Sequence, residues 1–268
     1  MLSADELLVD QLAVSLDGTR ADGMVGRVVE AGAAHQAENL VGRAVVVPGV
    51  RSCGACLPCR RGHALLCREP GPAPTREARA VVPARVAIVL APPGEKGLSE
   101  PADLAPLAAL AGVGLWAYGA VVRASVEPNR AAIIVGSGPL ALFVGALVAH
   151  RGARAVFART GSDVSAALAE HGLEPFGLPV IAVDAGAAQL AIELAPDGGT
   201  VVLCHSQPGA AELAALPARG LSVHGVLGAH PDLLAELVAF ANKGALDLAP
   251  LCRDAAAPPD DRAPVLRI

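Results

Sequence analysis

From Ala131 to Ala149 the chain reads AAIIVGSGPLALFVGALVA, an uncharged run broken near its start by Gly136, Gly138 and Pro139. The run is long enough to cross a bilayer as one helix. Its punctuation argues for something else. Five apolar residues, a glycine turn and a longer apolar stretch to about His150 read as a buried strand, a tight turn and a buried helix. A second strand, ARAVFA at 153–158, follows after a short break. Strand, turn, helix and strand make the start of a βαβ unit, which commits the chain to a parallel sheet covered by helices.

The turn carries chemistry of its own. Gly136 and Gly138 let the main chain bend tightly and approach a pyrophosphate, with Ala141 where the usual motif has its third glycine. The phosphates would rest on the amides of Ser137, Gly138 and Leu140 at the positive end of the helix, with Pro139 in its first turn. The residue ending the second strand reads the adenosine ribose: an acid accepts from the 2′-hydroxyl of NAD, whereas an arginine pairs with the 2′-phosphate of NADP. Counting 23 residues on from Gly136, close to the motif's spacing, reaches Arg159. Thr160, Gly161 and Ser162 add hydroxyl and amide donors, and Asp163 opposes a phosphate. The balance favours NADP(H) over NAD(H).

Further strands are expected in LPVIAVDAG (178–186), GGTVVLCH (198–205) and LSVHGVLG (221–228), separated by Ala-rich helical stretches such as AAQLAIELA. Strands alternating with helices imply a doubly wound parallel sheet. Before residue 100 the pattern changes to Val-rich segments, GRVVEAG and GRAVVVPGV, divided by glycine and polar turns, which suggests a β-rich domain. APPGEKGLSEPAD (91–103) reads as a connector, and DAAAPPDDRAP near the end as a loop.

The β-rich part holds SCGACLPCRRGHALLC, where Cys53, Cys56, Cys59 and Cys67 are spaced C-x2-C-x2-C-x7-C. A tight loop can present three thiolates and a following turn the fourth to a tetrahedral Zn²⁺. Four sulfurs close the shell, so one such zinc per chain would be structural and would help to fold its loop. Disulfides are the competing reading, and His63 is an alternative ligand that reads better as a solvated loop residue. MLSADELLVD carries acids where a secretory signal carries positive charge, which points to the cytoplasm, where thiols stay reduced. Cys204 and Cys252 lie in apolar surroundings and read as small core residues.

Composition narrows the partners. With 268 residues the chain is long enough for two domains. Its formal net charge is -5 and it has no Lys/Arg run, which argues against nucleic acid. Trp116, Tyr118 and four Phe are its only aromatic residues, so the core must be aliphatic.

These pieces occur in a familiar order: GRVVEAG, LVGRAVVVPGV, the four-cysteine lobe, LAALAGVGLWAYGAV, AAIIVGSGPLA, APDGGTVVLCHS, then LSVHGVLG with LLAELVAFANKGALDL. The chain resembles the medium-chain dehydrogenase/reductases, and the zinc-type alcohol and polyol dehydrogenases in particular, almost end to end. The resemblance implies an α/β protein with a GroES-like catalytic domain at 1–110 and 229–268 and a Rossmann domain at 111–228. It also implies a homodimer or homotetramer acting on a small molecule, away from membranes and nucleic acid.

The same resemblance exposes departures. The family's catalytic Zn²⁺ is held by three protein ligands. The first position falls on Asp17 in DGT, which also reads as a turn residue, and Thr19 matches the hydroxyl of the proton relay. The second, a histidine in the family, falls in ADGMVG on Asp22 and Gly23. The third falls around Ala109 and Leu110, which cannot bind metal; Glu100 is an acidic alternative placed too early. A family segment between the first two positions is missing. The expected function is therefore a zinc-independent NADP(H) oxidoreductase acting on a small polar carbonyl, alcohol or activated alkene. High Ala, Arg and Gly content suits a bacterial specialised biosynthesis. The alternative is a non-catalytic or non-redox member of the fold, performing elimination or cyclisation or serving as a binding protein or partner subunit. His205, after the fourth strand of the second domain, is a further candidate for acid/base work, with a structural role as the alternative.

Overall fold

The computed structural model describes residues 2–17, 20–49, 52–61, 63–71, 77–91, 101, 103–158, 161–205, 213–257 and 260–268. The chain divides into two compact units, Met1–Leu115 with His230–Ile268, and Trp116–Ala229.

The first unit opens with a long hairpin, β1 (Glu6–Asp17) and β2 (Arg20–Ala31), paired from Leu7 opposite Ala31 to Asp17 opposite Arg20. Along β1, Leu7, Val9, Gln11 and Ala13 turn inward, and the register shifts at Leu8/Val9, Gln11/Ala13 and Ser15/Leu16. Such bulges bend a strand and break its two-residue alternation. The Gln11 amide enters the core with a partner, donating to the Glu77 carbonyl at 2.5 Å. The strand β3 (Ala44–Pro48) pairs with β2 and is buried at every position. After α1 (Leu57–Arg60) in the cysteine stretch, β4 (Arg79–Pro83) pairs with the first half of β1, and β5 (Ile88–Val89) with β3. Leu7, Val9, Met24, Val28, Val45, Val47 and Val82 form this unit's core. The helix α2 (Pro106–Ala109) leads through a π-helical turn, Leu110–Gly114, to α3 (Leu115–Arg123).

The second unit alternates strand and helix: β6 (Ala131–Val135), α4 (Gly138–His150), β7 (Arg154–Ala158), α5 (Gly161–Glu170), β8 (Val180–Ala182), α6 (Ala188–Leu194), β9 (Thr200–Leu203), α7 (Ala215–Arg219) and β10 (Ser222–Gly225). The five strands are parallel in the order β10-β9-β8-β6-β7. Ile133, Val135, Val180 and Val201 pack with α6 residues on one face. On the other, α4 comes down on Ile134, with Phe143, Val144 and Leu147 fully buried. The apolar run from Ala131 is thus a strand and a 13-residue helix. Among the described residues the stretch long and apolar enough to span a membrane is Pro106–Arg123, and most of it is buried within the protein.

The chain then returns to the first unit with α8 (Leu234–Asn242), β11 (Cys252–Asp254) and β12 (Ala263–Arg267). β12 pairs antiparallel with β1, placing Arg267 opposite Ala13, and β11 runs parallel to β12. The terminal segment that reads as a loop therefore ends in sheet strands. Their partner lies at the far end of the sequence, where no local pattern can announce it. Arg267 grips Asp103 through its two terminal guanidinium nitrogens, Nη2 at 2.8 Å and Nη1 at 3.2 Å, which holds the Asp103 carboxyl below the usual carboxylate range.

The fold is α/β, as the sequence predicts: an antiparallel-rich seven-stranded sheet and a doubly wound parallel sheet. Ile134→Ala will remove a fully buried side chain from the centre of the parallel sheet and cost about 2–5 kcal/mol. Urea unfolding should show this as a lowered midpoint with an unchanged slope.

Candidate metal lobe and coenzyme crevice

The cysteine lobe is tied to the first unit by Arg85, whose Nη2 donates to the buried Ser52 carbonyl at 2.6 Å. From there the chain turns so that Cys56 caps α1, Cys59 lies on α1, and Cys67 follows the short turn Ala64–Leu66. All four sulfurs lie within 4.8 Å of one another. Sγ of Cys56 stands 3.4 Å from that of Cys59 and 3.9 Å from that of Cys67, and Cys53 stands 3.9 Å from Cys59. Zn–S bonds of about 2.3 Å put tetrahedral sulfurs about 3.8 Å apart, so the donor set and its spacing fit Zn²⁺. Backbone amides already serve the sulfurs: Cys53 N donates to Cys67 Sγ at 3.2 Å and Cys56 N to Cys53 Sγ at 3.3 Å. His63 is exposed and outside the cluster, and none of the six cysteines is disulfide-bonded.

The amides of Arg68 and Cys59 hold the Cys56 thiol down at about 6, and the Cys53 amide lowers Cys67. Desolvation and the hydrogen bond with Cys56 push Cys59 up to about 12. Four thiols in one small volume cannot all ionise without a cation, and a bound metal supplies that charge. Burial pushes Cys204 up to about 12, and burial with the nearby Asp103 does the same for Cys252. Cys204 is a buried core thiol and Cys252 a partly buried one, and both are held in the unreactive protonated form. After chelation near neutral pH, iodoacetamide should modify Cys56 first. Zinc should protect all four lobe cysteines, and Cys204 and Cys252 should stay unmodified while the protein is folded, as read by peptide mass spectrometry. Zinc binding needs thiolates, so affinity should fall as pH drops through about 6, where Cys56 regains its proton.

In the second unit the pairing register builds a different site. Val135 stands level with Ala182, Ala182 with Leu203, and Leu203 with Gly225. The residues that follow these strands therefore share the carboxyl edge of the sheet, the edge at which open α/β sheets bind ligands. Gly136 and Gly138 stand there at φ +129° and +78°, a region closed to most side chains, and Ser137 caps α4 in extended conformation. Pro139 lies in the first turn of α4, and Leu140 anchors that turn in the core. Arg159 and Thr160, expected to read the ribose and its 2′-phosphate, lie outside the described residues.

Sequence reasoning missed Asp184, and it named His205 as an acid/base candidate without its ring partner. The Asp184 carboxylate, just after β8, accepts from Ser137 N at 3.3 Å and fills the space a side chain at Gly136 would need. The signal was the acid ending VIAVD. His205, after β9, places its ring against Trp116, centroids 4.7 Å apart and tilted by 51°. The Trp116 indole N–H is buried with no acceptor among the described residues. The aromatic pair and the glycine turn thus occupy successive positions along one sheet edge.

No protein-family model and no curated protein matches the sequence. Solved structures do match it. A protein from Sinorhizobium meliloti 1021 assigned to the zinc-binding dehydrogenases and bound to NADP superposes with a TM-score of 0.80 at 20% identity, over 100% of this chain and 93% of that one. The alcohol dehydrogenase rspB from Escherichia coli CFT073, complexed with NADH, gives 0.79 at 17% identity over 100% and 93%. The D-arabinose dehydrogenase of Sulfolobus solfataricus gives 0.75 at 17% over 99% and 94%. The chain has the fold of the medium-chain alcohol dehydrogenases.

Within this medium-chain fold, the residues expected at the catalytic metal can be placed one by one. Asp17 ends β1 opposite Arg20, while Thr19 and Glu100 lie outside the described residues. Asp22 and Gly23, on β2, lie directly on the π turn. A Cβ at Gly23 would sit 2.4 Å from the Ala108 carbonyl and 2.6 Å from Gly112 N, and one at Gly112 would sit 2.4 Å from Asp22 Oδ1. Ala109 and Leu110 are fully buried. The second and third positions thus converge but offer one carboxylate between them, with neither imidazole nor thiolate. Among the described residues the cysteine lobe supplies the cluster of metal-ligating side chains. Among the described residues the donor set does not fit a catalytic zinc. Gly23→Ala and Gly112→Ala should each destabilise the protein by about 1–3 kcal/mol through overpacking, measurable by chemical denaturation.

Proposed function

We propose that the protein is an NADP(H)-dependent oxidoreductase of the medium-chain type that works without a catalytic metal on a small carbonyl, alcohol or activated alkene. The observation that carries this reading is the glycine turn running from β6 into α4 at the carboxyl edge of a parallel sheet. The NADP and NADH bound by proteins of the same fold support it. Main-chain amides at Ser137, Gly138 and Leu140 would hold the pyrophosphate, and Arg159, with Thr160, the 2′-phosphate. The adenosine side then faces β7, and the other half of the dinucleotide extends over β8 and β9 toward His205 and Trp116. When bound, the nicotinamide donates or accepts hydride, and fixed geometry supplies much of the rate. The resemblance assigns proton transfer to the Thr19 hydroxyl, with Asp17 two residues before it in the sequence.

The second reading, a non-redox or binding member, draws on the Asp22–Gly112 contact, which replaces metal ligands with close packing. Trp116 is the chain's sole tryptophan and lies at the proposed nicotinamide end, so its fluorescence separates the two readings. NADPH should quench it with micromolar affinity, NADH more weakly, and Arg159→Ala should weaken NADPH by about tenfold or more. Absence of binding by either nucleotide would overturn the oxidoreductase reading.

A further inference from the structure

The opposite edge of the same sheet holds a second feature. A cavity of about 460 Å³ there is lined by Asn129, Arg130, Arg154 and His171, with small residues of 149–155 and Leu173. Among the described residues its lining includes no carboxylate, in a chain with formal net charge -5. Arg130 immediately precedes β6 and Arg154 opens β7. The register sets Ala131 opposite Arg154, and Arg154 N donates to the Arg130 carbonyl at 2.8 Å. Adjacent strands thus bring two guanidinium groups to one opening. His171 reaches it from beyond α5, with Nε2 3.1 Å from Arg154 Nη1. A guanidinium can only donate, so in this contact the imidazole nitrogen is the acceptor.

The ordinary explanation of basic residues here is the negative end of α4. His150 and Arg151 already occupy that helix's last turn and cap, whereas Arg130 and Arg154 lie on other segments. Arg130 keeps two contacts, to the Phe176 carbonyl and, at 3.8 Å, to the exposed Glu127. Arg154 and His171 instead face each other, and an anion placed between them would accept from both.

We propose that this cavity binds a small phosphate-bearing molecule. The Arg154 fork would take two phosphate oxygens and a ring N–H of His171 the third, with the Asn129 amide and Arg130 at the rim. A carboxylate has too few oxygens to engage this donor set. The five residues of β6 separate the cavity from the glycine turn by about 16 Å, so it is a second site and independent of the coenzyme reading.

Inorganic phosphate titrated into the full-length protein at constant ionic strength should shift the His171 ring resonances in nitrogen-correlated NMR, saturating in the millimolar range. His171→Gln assigns those signals. Arg154→Ala should weaken the response by about tenfold, Arg154→Lys less, and acetate should produce little of it. An unsaturable shift, an equal response to acetate, or an Arg154→Ala titration like that of the native protein would overturn the proposal. The variants' urea midpoints establish that they are folded. Their response to NADPH should match the native protein's, so failure at this site and failure of the coenzyme site are read separately.

Discussion

The parallel pairing of β6 with β7 on one side and β8 on the other is the constraint on which the second unit depends. Once Val135 is level with Ala158 and Ala182, every following turn is delivered to one edge and every preceding one to the other. The glycine turn, Asp184 and His205 share the first edge, and Arg130, Arg154 and His171 gather near the second. Parallel strands need long crossovers, so the helices cover both faces and leave only the edges for chemistry. Both proposed sites follow from that division.

Small residues do the corresponding work in the first unit. With few aromatic rings available, its core is filled by Val, Leu, Ala and Met, and backbones can come into direct contact. The Gly23–Gly112 approach lets β2 touch the π turn, and Asp22 covers the contact. At the positions where the resemblance places the second and third ligands, the described residues offer main chain, small or apolar side chains and one carboxylate. The chemistry proposed for this protein therefore relies on nicotinamide geometry and a hydroxyl proton donor in place of a Lewis acid.

The cysteine lobe is a self-contained solution to a different problem. A stretch rich in Arg, Gly and Pro has little apolar surface to bury, and amides directed at sulfur prepare it for a cation. Arg85 fastens that stretch to the sheet through a single carbonyl. A metal held there would, with the clamp, give order that packing could not supply.

The βαβ start, the α/β class and the cysteine spacing are local in sequence, because strand and helix periods, glycine turns and short ligand spacings are set within a few residues. The amino-acid order alone makes them legible. It does not do so for β12 and the bulged β1, because their pairing joins the two ends of the chain and register shifts erase the alternation that marks a strand. Asp184 at the glycine turn, His205 against Trp116 and Arg154 against His171 are equally silent in the sequence. Each is an encounter between side chains on different strands or connections, and only the sheet's register and tertiary packing decide which groups meet.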